Sequence, residues 1–408
     1  MRVHLFGKEA KLTATSLTYW LVVGIIGFFI MTQVGMDLTV IRKPDKTDET
    51  YGMVQTKDKK RIQVQTYGTL YSEYHSDGYG TYPFGFYKGV KLDEQEQQHV
   101  RQILERASGQ SMSALEADYS EQLLSKMDAS GNDYLEESNY EFPLKDTASY
   151  QQFEQDMMSV AELLGKGSSY GKEDYLAAAT EPKTYEQAME EYQGIVDKDR
   201  VTGAYARMVC DYFGIILGIV PVFLGATVML RDKRGQAEQV IHSKAVSSMR
   251  LLGSRYLSTV LLLLIPTLVI SLMPGIQAMV IADKLNVAGD LLLFFQYIIG
   301  WLLPTILFVL GLSFFVTELF GGIAAIVVQI IFWLVSIFSS SSNLIGGGGL
   351  SLIPRFNKVG ERVLFEQFFE KLVWNRLFFA GIGILLFLLA VVIYDYKRNG
   401  GRLLGKSR

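Results

Sequence analysis

The chain has 408 residues, 49% hydrophobic and 20% charged, with a net charge of −3. A single cysteine, Cys210, excludes an intrachain disulfide, and with only His4, His75, His99 and His242 beside it no zinc spacing can be built. Long apolar runs fill the region after about residue 204 and one stretch near the start, with a charged segment between them. That is the composition of a membrane protein carrying one large water-exposed insert.

A hydrocarbon core about 30 Å thick needs about 20 apolar residues in a helix. Residues 1–15, containing VHLFGKEAKLTA, read as a short cytoplasmic segment lying in the interface. The first span covers 16–36. Its apolar run is long for a signal peptide and no small-x-small site precedes Asp37, so an uncleaved anchor is expected. Residues 37–203 form the insert. Up to Lys91 it is rich in Tyr and Gly, and segments such as KRIQVQTYGTLY predict short strands and turns. Past Leu92 the pattern becomes helical. Two helices follow, with Val100, Ile103 and Leu104 on one face, and further helices over Ser149–Leu164 and Tyr185–Val196. The expectation is an α+β extracellular domain with a mainly helical second half.

Two features of the insert have simple explanations. DASGNDYLEESN, from Asp128, departs from a calcium loop because Asp133 replaces the required glycine and Asn139 the bidentate glutamate, so an Asx-rich turn is expected. The tyrosines from Tyr67 to Tyr87 are expected to pack around glycine turns. No nucleophile–base set is apparent, so an enzyme is not expected.

Span two covers 204–230 and leads into the charged loop 231–255, where a helix is expected over about Gln236 to Leu252 with Val240, Ile241, Ala245, Met249 and Leu252 near one face. Spans three to five occupy 256–338. The hairpin 339–376 carries a glycine run and an amphipathic stretch, Val359 to Val373, expected to lie in the outer interface. Span six is 377–394, followed by the basic tail 395–408. Lys and Arg cluster before span one, between spans two and three, and after span six, which predicts cytoplasmic termini and 37–203 outside, and an external segment without cysteine points to a bacterial plasma membrane. The insert has 31 acidic against 18 basic side chains, net −13, leaving +10 for the remainder. Within the spans, Arg207 and Asp211 stand four apart and are expected to pair with each other. Glu318 is expected to be water-accessible at the cytoplasmic end of span four.

The six-span unit, the loop R-D-K-R-G-x-x-E after span two and the outer hairpin before span six resemble type 2 ATP-binding-cassette exporter permeases. Over the motif, Gln236 stands where Thr or Ser is usual. The resemblance implies a transport subunit that binds no cofactor itself, with ATP and Mg2+ on separate ATPase subunits. It also implies a second permease copy or paralogue, lipid around the pair and no nucleic-acid partner. The docking element would be Asp232, Arg234, Gly235, Glu238, Val240, Ile241, Met249 and Arg250. The cargo would be a peptide, antibiotic, lipid-like molecule or ion. A sensing subunit that moves nothing is the alternative. The terminal G-x-x-x-x-G-K-S, from Gly400 to Ser407, follows YDYKRN rather than a buried strand, so a basic membrane-flanking tail is expected and not a phosphate loop.

Overall fold

The computed structural model describes residues 2–35, 38, 41–83, 87–130, 140–243, 246–339, 344–345, 349–355, 359–360 and 362–400. The chain divides into two compact units, one of Met1–Lys43 with Met189–Arg408 and the other of Pro44–Ala188. The first unit begins with helix α1 (Arg2–Ala14) and helix α2 (Leu17–Val34). Ser16 caps α2 by accepting the Tyr19 N–H at 3.2 Å. Tyr19, Val22, Ile26 and Ile30 of α2 face the core, while Trp20, Leu21, Ile25 and Phe28 face outward.

The insert is mostly helical. It holds β1 (Met53–Gln55), α3 (Lys59–His75), β2 (Tyr79–Thr81), β3 (Lys88–Val90), α4 (Glu94–Ser108), α5 (Met112–Ser130), α6 (Tyr150–Leu164), α7 (Lys172–Ala178) and β4 (Thr180–Pro182). The strands form two antiparallel pairs, β1 with β4 and β2 with β3, three residues each. The stretch expected as strands, KRIQVQTYGTLY, is helix α3. Ile62, Val64 and Thr66 alternate, but Ile62, Thr66 and Leu70 also recur every four residues, and burial follows the second period. Asp58 caps this helix through the Lys60 N–H at 2.9 Å. Gly68 lets the helix lie against the chain at Tyr140, where an added Cβ would come within 2.2 Å of a carbonyl oxygen. Helix α4 begins with a reciprocal cap between Asp93 and Glu96 and buries Val100, Ile103 and Leu104 as expected. Of the clustered tyrosines, Tyr67, Tyr71 and Tyr79 are buried while Tyr82 and Tyr87 are exposed. The stretch read as an Asx-rich turn lies largely outside the described residues, at 131–139.

After α8 (Tyr185–Gln193) a π-helical turn, Gly194–Lys198, leads into α9 (Thr202–Leu217). A bend of 42° separates α9 from α10 (Pro221–Arg234). Proline has no N–H to donate, so backbone carbonyls at the bend need other donors. Later helices supply them. Trp333 Nε1 donates to Ile215 O at 2.8 Å, Gln329 Nε2 to Gly218 O at 2.5 Å and Ser313 Oγ to Val222 O at 3.0 Å. Those donors come from α13 (Leu291–Phe320) and α14 (Gly322–Ser339), which follow α11 (Glu238–His242) and α12 (Ser248–Lys284). Five helices are long and apolar enough to cross a membrane, and a sixth span results if α9 and α10 count as one. By helix length and composition this is a multi-pass membrane protein.

The last helix, α15 (Arg362–Arg398), runs unbroken for 37 residues, about 55 Å at 1.5 Å per residue. The interfacial helix expected over Val359–Val373 and the span expected over 377–394 are therefore largely one element. The polar residues Asn375 and Arg376 suggest a boundary in the sequence, but both are buried and bonded, so the helix continues through them. Against α13 it packs through glycine. A Cβ on Gly311 would meet Gly383 O at 2.1 Å, and one on Gly383 would meet the Leu307–Phe308 peptide at 2.6 Å. Residues 349–355 fold back into the bundle, where Ile353 fills the space beside Gly214 and Gly218.

Candidate functional site

The segments α1, the end of α10, α11, the start of α12 and the ends of α13 and α15 are joined by side-chain contacts at one end of the bundle. Charged side chains collect there. Glu9 of α1 is 5% exposed and contacts the guanidinium of Arg231, with Arg255 Nε at 3.4 Å. Arg255 in turn donates to Asp232 at 2.8 Å. One buried arginine thus joins α1, α10 and α12. Buried ions hold such positions only when paired and bonded.

A second set ties the loop after α10 to α15. Arg398 donates to the carbonyls of His242, at 2.9 and 3.2 Å, and Val246, at 2.5 Å. It therefore satisfies carbonyls at and just beyond the C-terminus of α11, where a cation is favoured. The His242 ring sits edge-on to Tyr394 at 5.5 Å. Ser248 donates to Asp395 at 2.5 Å, and Lys397 pairs with Glu318 at 3.1 Å.

The residues expected to form the docking element divide by environment. Arg234, Gly235, Val240, Met249 and Arg250 are exposed, Glu238 and Ile241 are half-buried, and Asp232 is buried against Arg255. The helix expected over Gln236–Leu252 is instead the five residues of α11 followed by the start of α12 at Ser248, with Lys244 and Ala245 outside the described residues. Val240 and Leu252 accordingly share no face: the first is exposed and the second fully buried. Gln236, at φ 52°, makes the turn that separates α10 from α11.

Arg207 and Asp211, expected to pair with each other, each have a partner elsewhere. Arg207 forks onto Asp199 at 2.7 and 2.6 Å, and Asp211 pairs with Arg355 at 3.1 Å. Both partners, Asp199 and Arg355, lie outside α9. Glu318 is not open to water; it is 8% exposed beneath Lys397. Sequence reasoning missed Glu9, Asp199, Arg355, Arg376, Asp395 and Arg398 as members of these sets. Buried position within otherwise apolar or membrane-flanking helices is the signal that could have marked Glu9 and Arg376.

The insert has its own cavity, about 570 Å³, lined by residues including Arg61, Gln65, Thr69, Glu141 and Tyr175. Nearby, Glu73 accepts the Gly80 N–H at 2.9 Å and the Tyr170 hydroxyl. Burial nevertheless pushes its carboxyl above the ordinary 4.5, with both hydrogen bonds opposing the shift. The folded insert then holds this proton more tightly than the unfolded chain does. Its stabilising contribution is full below pH 4.5 and is lost as pH rises through the raised value. Hydrogen exchange at Tyr79–Thr81, corrected for intrinsic rates, should show protection declining from pH 4.5 towards neutrality. Glu73→Gln should flatten that decline, and an unchanged slope would assign it to another group.

Among the described residues no group of three or more His, Cys, Asp and Glu could hold a metal ion. The terminal G-x-x-x-x-G-K-S lies outside the described residues from Gly401 onward. No protein-family model, curated protein or solved structure matches the chain.

Proposed function

We propose that the chain is the membrane subunit of an ATP-driven exporter of the type 2 ATP-binding-cassette kind. The observation that carries this reading is the hold of Arg398 of α15 on the carbonyls of His242 and Val246, flanked by the Arg255–Asp232 pair of α12 and α10. An ATPase pressing on the exposed Arg234, Val240, Met249 and Arg250 would move α10, α12 and α15 through those bonds. ATP and Mg2+ would belong to that partner, and a second copy or a paralogue would complete the pathway. The basic flanks of α1, α10 and α15 support a cytoplasmic position for this end by the positive-inside rule, and an external insert follows from the same orientation. The cargo would be a peptide, antibiotic, lipid-like molecule or ion.

Glu238→Ala and Arg234→Ala, each purified from its native host, should enter the membrane normally while losing most of the co-purifying ATPase. Retention of that ATPase at wild-type levels, with unchanged ATP-dependent flux in liposomes, would place docking elsewhere. The cavity of the insert favours a second reading, a sensing subunit that moves nothing. In that case liposomes would show ligand-stimulated hydrolysis without flux.

A further inference from the structure

The opposite end of the bundle contains two consecutive non-glycine residues at positive φ, one of them β-branched. Between the π-helical turn Gly194–Lys198 and α9, Arg200 has φ 49° and Val201 has φ 64°. A β-branched residue at positive φ is an outlier, because its Cβ crowds the adjoining peptide. Such a conformation persists only when the surroundings over-determine it. Here they do. Val201 is fully buried, its N–H reaches Ile195 O at 2.9 Å, and the next residue, Thr202, accepts the Asp290 N–H at 3.1 Å.

The neighbouring Asp199 is fully buried and serves two cations from different helices. Arg207 of α9 grips it with both arms, whereas Arg362, in the first turn of α15, reaches it with one nitrogen at 2.6 Å. The other side of Arg362 turns to Glu366 at the surface, 2.9 Å away. Phe365 lies under both guanidiniums, 4.7 Å from Arg207 and 5.5 Å from Arg362. Arg362 is thus the weaker and more exposed arm, and the only one of the two that joins α15 to the Asp199 carboxylate.

We propose that Arg200–Val201 is a sprung joint, kept shut by the hold of Arg362 on Asp199. Breaking that hold lets the backbone relax and the first turn of α15 leave α9. The joint lies where the chain returns from the insert into α9, so a displacement of residues 189–198 reaches it directly. Nothing in it depends on ATP or cargo.

Hydrogen exchange on the full-length chain in nanodiscs tests this. Arg362→Gln leaves the Arg207–Asp199 fork intact and should speed exchange about tenfold at both 203–207 and 366–369, with α10 and α14 unchanged. Glu366→Gln, which spares Asp199 and removes only the surface pairs of Glu366 with Arg362 and Lys198, should stay within about twofold of wild type. Strain itself is read from Val201→Gly against Val201→Ala: both remove the two γ-methyls, glycine loses one further buried carbon, and only glycine adopts this φ freely, so slower exchange in glycine runs against its packing loss. Exchange at 203–207 should be about fivefold or more slower in the glycine variant. No acceleration in Arg362→Gln, uniform acceleration of all helices, or an alanine variant as protected as the glycine one would each overturn the proposal.

Discussion

Arg376→Ala is expected to be the most damaging single substitution in the helical unit. The side chain is buried in the middle of α15, and all of its acceptors are neutral. Two of them, Ser351 O at 3.1 Å and Leu352 O at 3.0 Å, belong to the segment that folds back into the bundle. Two more, Trp301 O at 3.2 Å and Thr305 Oγ1 at 3.0 Å, belong to α13. The guanidinium therefore holds together three pieces of chain that no local interaction would assemble. Its removal strands several buried acceptors at about 1–3 kcal/mol each and leaves a void beside them. A loss of about 4 kcal/mol or more is expected, a large share of the stability of a typical folded unit. Arg376→Lys should recover less than half, because one ammonium cannot reach acceptors arranged around a planar fork. Thermal unfolding in detergent, with limited proteolysis around Leu350 and Arg355, would measure both effects. A shift within about 0.5 kcal/mol, the range of ordinary surface substitutions, would mean that other donors reach those carbonyls.

The second large effect is expected at Arg255. It is 2% exposed and contacts Glu9 and Asp232, both themselves buried. Arg255→Ala leaves Asp232 without its partner and Glu9 with Arg231 alone, so a loss of about 3–5 kcal/mol is expected. Adding Asp232→Asn should restore part of it, because the uncompensated charge is then gone. That non-additivity separates a buried-charge penalty from simple loss of packing. Equal and additive losses would contradict the pairing. On the transport reading, variants of Arg255 that still fold should bind the ATPase yet transmit its motion poorly, since docking residues are untouched.

The two arginines differ in how far the sequence foretells them. Arg255 stands among the basic residues after α10, where a topological role is sufficient explanation. Nothing there signals Glu9, more than 200 residues upstream, as a partner. Arg376 falls where a polar pair interrupts apolar sequence, and the natural inference is a helix boundary. Its burial depends on carbonyls presented by residues 351 and 352, and that presentation exists only after the chain has folded back. The same holds for Arg207. A carboxylate four residues away looks like its partner, while the carboxylate it grips belongs to a π-helical junction with no pattern in sequence.

Local rules were sufficient elsewhere. Spans α2, α12, α13 and α14 are legible because a membrane core demands about 20 apolar residues whatever the neighbours are. Helix α4 is legible because Asp93 and Glu96 write its start within one turn. Helix α3 is not, because Ile62, Val64 and Thr66 fit both a strand and a helix, and only packing against Tyr140 chooses between them. What the sequence determined by itself is therefore where four of the apolar helices, α2, α12, α13 and α14, lie along the chain, and the basic character of one end; the count of six holds only if the bent pair α9 and α10 is one span. The tertiary structure decided how α15 continues through its polar pair, where the bend at Pro221 finds its donors, and which buried charge faces which. Helix capping depends on residues within a turn or two. The partner of a buried charge depends on chain brought from far away, and no local pattern encodes that.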